Sequence, residues 1–444
     1  MADMNDRYRP DTSDAGEPLA PGATGQSSPH HVSRRPVLLA AFLGAGSLAG
    51  CSLIPGSSSA GSSPSAKPKA PEPAASSAAP SPTAAASPAP SATATATATD
   101  GALAGWSLEE KVGQLMMVGV DAQAPKQSSN EAVDTHHVGN IFIAGRTTAG
   151  SQATQKVISS FTSKVGPGTT HATPMLVATD QEGGEVQVLA GSGFSDIPSA
   201  LDQSAQPRDQ LVASARTWGK ELADVGVNMN LAPVADLVDI ARPASNEPIG
   251  RWGREYGHDA ATVSSQAGAF AEGMQASKVI PTYKHFPGLG RVKDNTDTSA
   301  GVVDSTTTRS ADTAVSVIFG AAIAAGAPVI MVSSATYSLI DPSAPAVFSS
   351  TIVTDMLRRE MGFSGVVITD DVSAAVQVQD VSAGDRAVRA IRAGCDLVLA
   401  SADPTVAADM VKALIATARS DPAFAARVDE SATRLLNLKK SLQS

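Results

Sequence analysis

Eight short apolar runs recur between residues 103 and 444, each separated from the next by enough chain for a helix. They are LMMVGV from 115, VGNIFIAG from 138, PMLVAT from 174, VNMNLAPVA from 227, KVIPTYK from 278, PVIMVSS from 328, GVVIT from 365 and CDLVLAS from 395. Near-continuous apolar runs belong to strands buried on both faces, and their alternation with helices indicates a parallel sheet. Helical spacing is visible in the gaps: Ile318, Ala321, Ile323 and Ala324 precede the sixth run, and Ala387, Val388 and Ile391 precede the eighth. The count of eight, with no glycine-rich dinucleotide fingerprint after the first run, predicts an α/β fold of the (β/α)8 TIM type rather than a doubly wound open sheet. Ser107-Leu108-Glu109-Glu110 carries a capping-box pattern and marks where ordered structure begins.

Residues 1–102 differ in kind. The first thirty or so are polar and rich in Gly, Pro and Asp, with no periodicity that could bury a face. Ser33-Arg34-Arg35 then leads into an apolar run from Val37 to Gly50, short of the roughly 20 residues a membrane-spanning helix needs. That is a signal-peptide pattern with a twin-arginine flavour, spanning residues 1–50. Leu48-Ala49-Gly50-Cys51 resembles the bacterial lipoprotein box, which implies a lipidated Cys51 at the mature N-terminus. From 51 to 102 the chain is almost entirely Ser, Ala, Pro, Thr and Gly. Such a tract buries too little apolar surface to offset its ordering entropy, and it reads as a disordered tether. A diacylglycerol on Cys51 would hold the protein on a membrane where one acyl chain alone would be marginal. The single catalytic domain is therefore expected over 103–444.

The two cysteines, Cys51 and Cys395, leave no disulfide framework once the first is committed to lipid. A formal charge of −10 without basic clusters argues against a nucleic-acid partner. The seven histidines show no metal-type pair on one helix face, and neither metal nor cofactor is expected.

Polar residues follow the predicted strands: Asp180-Gln181-Glu182 after the third, Asp236 after the fourth, Lys284-His285 after the fifth, Ser333-Ser334 after the sixth and Asp370-Asp371 after the seventh. In a barrel all of these surround one mouth. Carboxylates with one lysine and one histidine around one pocket suit binding and cleaving a polyhydroxylated ligand.

Six motifs occur in order: DQEGGEVQ (180–187), APVADL (232–237), IGRWGREYG (249–257), KHFPGLG (284–290), LRREMGFSGVVITDD (357–371) and AGCDLVL (393–399). Together they resemble the barrel domain of glycoside hydrolase family three, specifically its single-domain β-N-acetylglucosaminidases, over essentially all of 103–444. The resemblance implies a retaining mechanism in which Asp370 is the nucleophile, with Asp180, Arg254, Lys284 and His285 holding sugar hydroxyls. A carboxylate at a rigid strand end suits attack on an anomeric carbon. Asp371 is expected to be structural.

Three positions depart from the family. Val188 stands where a sugar-binding arginine is usual, and Ser334 where a histidine is common. The Asp-Ser-His triplet that normally supplies an Asp-His acid/base dyad falls on Asn295-Thr296-Asp297. Asp297 is then the candidate proton donor, with Asp294 second, and retention would set the donor roughly 5–5.5 Å from the nucleophile. Loss of the histidine favours hydrolysis over phosphorolysis. The chain ends in VDESATRLLNLKKSL, a terminal helix, so no second domain is expected to supply the acid.

The expected activity is exo-hydrolysis of terminal GlcNAc from cell-wall glycans or muropeptides by a monomer, lipid-anchored on the outer face of a bacterial cell membrane. A β-glucosidase or β-xylosidase of the same family is one alternative, and a sugar-binding lipoprotein that lost its acid is another.

Overall fold

The computed structural model describes residues 101–443. The signal peptide expected over 1–50, the lipidated Cys51 and the tether up to residue 100 lie outside the described residues.

All eight predicted runs are strands: β1 Met116–Asp121, β2 Asn140–Ala144, β3 Leu176–Thr179, β4 Met229–Asn230, β5 Ile280–Phe286, β6 Val329–Val332, β7 Val366–Asp371 and β8 Leu397–Ala400. Each pairs in parallel with its neighbours in sequence, and β8 pairs with β1 through Met116–Val398, closing the barrel. Every residue of β3, β6 and β8 is buried, as strands sandwiched between a barrel interior and an outer helical ring must be.

Several helices start where a short polar side chain caps them. Ser107 and Glu110 form the predicted reciprocal capping box on the helix Leu108–Gln114. Asp421 accepts from the amides of Ala423 and Phe424, with Pro422 in the first turn, and opens the helix Pro422–Lys440. From the end of that helix Lys439 reaches under the barrel, donating to Gln114 Oε1 at 2.6 Å and to the Gly139 carbonyl at 2.9 Å.

Two strands run further than expected. Lys284 and His285 lie inside β5, because its pairing with β6 continues to Phe286–Val332, and Asp370 and Asp371 are the last residues of β7. Both strands shift register at these residues, β5 between Tyr283 and Phe286 and β7 between Ile368 and Asp371. Such irregularities re-aim side chains that regular pleating would send elsewhere.

Candidate active site

The DQEGG segment leaves β3 as a tight hairpin, Gln181–Gly183 against Val186–Gln187. Gly183 has φ of +106°, and a Cβ there would come within 2.2 Å of the Pro198 carbonyl oxygen, so only glycine fits. The hairpin holds Asp180 and Glu182 beside β5. Lys284 Nζ lies 2.7 Å from Asp180 Oδ1 and 2.6 Å from Glu182 Oε1. Arg254 closes the group with a bidentate pair, its Nε and terminal nitrogen each 2.8 Å from a Glu182 oxygen, while another nitrogen donates to the Pro248 carbonyl.

Charge balance decides the protonation states here. Burial would raise the Glu182 carboxyl, but the Arg254 and Lys284 cations outweigh it and hold it down to about 2. Burial would lower the Lys284 ammonium, but Asp180 and Glu182 prevail against it and against Arg254, keeping it above its ordinary value. Glu182 and Lys284 are therefore held in their charged forms by the groups around them.

His285 is set by a different partner. Asp236, fully buried after β4, accepts from the His285 amide at 3.1 Å and from the Leu289 amide at 2.8 Å, and its second oxygen lies 2.7 Å from His285 Nδ1. This leaves Nε2 as the ring nitrogen available to a ligand. Lys284 and His285 are thus aimed by carboxylates that follow two other strands, Asp180 and Glu182 after β3 and Asp236 after β4.

At the end of β7 the neighbouring aspartates diverge. Asp371 is consumed by its loop: it accepts from Ser373 Oγ at 2.6 Å, the Ala374 amide at 3.1 Å and the Ser401 amide at 2.8 Å. Asp370 is half-buried, accepts from the Asp371 amide at 2.8 Å, and lines a cleft.

That cleft encloses about 540 Å³ of space, open solvent at its mouth included. Asp180, Arg254, Lys284, His285, Asp297 and Asp370 all line it, and Asn295, Thr296, Asp371 and Ser401 complete its polar wall. Asp294 is exposed and is not among the lining residues. Asp297 follows an Asx turn, with Asn295 Oδ1 accepting from the Asp297 amide at 2.9 Å.

The other two departures are apolar or silent. Val188 is buried in the core and brings no polar group to the cleft. Ser334 is fully buried, its hydroxyl without a hydrogen-bond partner, and it too lies off the cleft lining. Sequence reasoning noted Glu182 and Asp236 at strand ends but gave them no task. Their signal was the acidic residue itself, two positions after Asp180 and at the end of APVAD, without a way to see its partner.

The chain resembles known proteins throughout this region. A solved structure described as a β-N-acetylhexosaminidase from Beutenbergia cavernae is 56% identical, covering 75% of this chain and 98% of that one with a TM-score of 0.74. A β-hexosaminidase of Stenotrophomonas maltophilia strain K279a is 35% identical over 235 residues, 51% of this chain and 67% of that protein. An uncharacterized secreted glycosyl hydrolase of Arthroderma benhamiae is 34% identical over 276 residues, 61% of this chain and 76% of that protein. The sequence pattern of the glycosyl hydrolase family 3 N-terminal domain matches residues 107–438. With that match spanning the whole barrel and its cleft, the chain belongs to glycosyl hydrolase family 3 and is a glycoside hydrolase.

Proposed function

We propose that this enzyme is a retaining exo-β-N-acetylglucosaminidase that removes terminal GlcNAc from cell-wall-derived glycans or muropeptides, with Asp370 as nucleophile and Asp297 as acid and base. The observation that carries the reading is one cleft lined by two separate carboxylates, Asp370 and Asp297, beside a fixed Lys-Arg-His set. The sugar preference is supported by the hexosaminidase descriptions of the Beutenbergia and Stenotrophomonas relatives.

In the first step a carboxylate oxygen of Asp370 attacks C1 of the terminal sugar while the C1–O bond breaks. Asp297, protonated, gives its proton to the departing oxygen. The product is a glycosyl ester on Asp370. Asp297, now a carboxylate, takes a proton from water; the oxygen attacks C1, the ester bond breaks, and Asp370 returns as a carboxylate. Two inversions give retention. Asp180, Lys284, Arg254 and His285 would bind the sugar hydroxyls. The ionised cluster offers both acceptors and donors, and such bonds accelerate the reaction insofar as they tighten at the transition state.

Export is supported by the signal-like residues 1–50 and by the secreted description of the Arthroderma relative, and Cys51 would supply the membrane anchor.

The test is Asp297→Asn. On kcat/KM, which reports steps up to glycosyl-ester formation, alkyl β-GlcNAc substrates should lose roughly 10²- to 10⁴-fold. Dinitrophenyl β-GlcNAc, whose leaving group needs no proton, should lose far less. Equal losses on both would contradict the acid assignment. Preferred turnover of aryl β-glucosides or β-xylosides by the wild type would move the reading to those activities. GlcNAc binding without turnover would make the protein a sugar receptor.

A further inference from the structure

The loop that carries Asp297 is fastened to the segment that follows Asp370, and one side chain makes much of the connection. That segment, residues 372–379, is itself fixed. Asp371 anchors its first turn, Arg386 donates to the carbonyls of Val372 at 2.6 Å and Ser373 at 2.9 Å, and Gln379 Nε2 donates to those of Ser373 and Ala375. From this base two backbone bonds reach the Asp297 loop: the Val376 amide donates to the Asp297 carbonyl at 3.2 Å, and the Gln377 amide to the Thr296 carbonyl at 3.0 Å.

The Gln377 side chain then spans to the far end of the same loop. Its Oε1 accepts from the Val302 amide at 2.9 Å and its Nε2 donates to the Val302 carbonyl at 3.2 Å, as a neighbouring strand would. Gln377 thus holds the loop at 296 through its backbone and at 302 through its side chain. Nothing in the chemistry of the reaction consumes this residue, and it does not line the cleft.

We propose that Gln377 is a positioning residue for proton transfer, setting the Asp297 loop at a fixed height relative to Asp370. The inference rests on the Asp297 reading above. Proton transfer needs the donor within about 2.6–3.2 Å of the glycosidic oxygen, and a misplacement of about 1 Å can cost 10²-fold. Attack by Asp370 has no such dependence on the loop. The side chain also suits removal without collapse of the fold. Gln377 is half-buried, and the Val302 carbonyl keeps a second donor, the Thr336 amide at 3.0 Å, so that only one backbone amide loses its partner.

The experiment compares Gln377→Ala and the near-isosteric Gln377→Leu on alkyl and dinitrophenyl β-GlcNAc. Expected is a loss of roughly 10- to 100-fold in kcat/KM on the alkyl substrate, with the dinitrophenyl substrate changed by no more than about threefold. Equal losses on both substrates, no loss on either, or failure of both variants to fold would overturn the proposal and leave Gln377 a purely structural residue. Asp297→Asn, measured alongside, separates the two claims. If it lacks leaving-group selectivity, the acid assignment has failed; if it shows that selectivity and the Gln377 variants do not, only the positioning role has failed.

Discussion

At the mouth of the barrel Lys284 meets two carboxylates, and at the foot one carboxylate, Asp396, meets three guanidinium groups. Asp396 precedes β8, is fully buried, and accepts from Arg358, Arg427 at 2.8 Å, Arg434 at 3.2 Å, Ser431 Oγ at 3.0 Å and the Val367 amide at 2.9 Å. Burial would raise its carboxyl, yet the three arginines hold it below the usual range. Its partners tie the helical segment Thr351–Glu360 and the helix Pro422–Lys440 to strands β7 and β8. The mouth is neutralised as well, but it faces the cleft: Asp180, Arg254 and Lys284 line it, whereas Asp396, Arg358, Arg427 and Arg434 do not. The foot spends its charges on holding elements together. The mouth keeps its charged groups compensated and facing the cleft, where a polar ligand can meet them, which is the condition for an electrostatically preorganised site.

Breaking each cluster should therefore do different damage. Asp396→Asn, which removes the buried charge shared by three arginines, is expected to cost about 3–5 kcal/mol in urea unfolding while the folded fraction keeps its kcat/KM. A proportionate loss of specific activity would place the foot within the working site and erase the contrast. Lys284→Met should act the other way, lowering kcat/KM by about 10²-fold through lost sugar contacts and a disturbed Asp180 and Glu182. A large drop in stability with normal activity would reverse the assignment. The smallest effect is one of pH. Glu182 is held down to about 2 from its ordinary 4.5, so its contribution to stability is complete above 4.5 and is lost as pH falls toward the folded value. Between pH 4.5 and 3 that should amount to about 2 kcal/mol, and Glu182→Gln should flatten this part of the profile. An unchanged slope would mean that the carboxylate is not held ionised by its neighbours.

What could be read from the amino-acid order follows the range of each interaction. The eight strands and the Ser107 capping box depend on neighbours a few residues away, and all were legible. Glu182 was not: its tasks are defined by Arg254, 72 residues on, and by Lys284. Asp236 and His285 are 49 residues apart, and Gln377 and Val302 are 75 apart. These pairs exist only once the barrel closes, and no local pattern announces them. The register shifts in β5 and β7 were hidden for the same reason, since a bulge is a property of two paired strands.

The central claim is that Asp370 forms a covalent bond to the sugar. It is tested most directly by incubating the enzyme with a fluorinated GlcNAc donor that forms the glycosyl ester quickly and hydrolyses it slowly, followed by mass spectrometry of the digested protein. The account predicts one sugar per chain, on the peptide containing Asp370 and absent from Asp370→Ala. A sugar attached to a different carboxylate, or full turnover of natural substrate by Asp370→Ala, would contradict it.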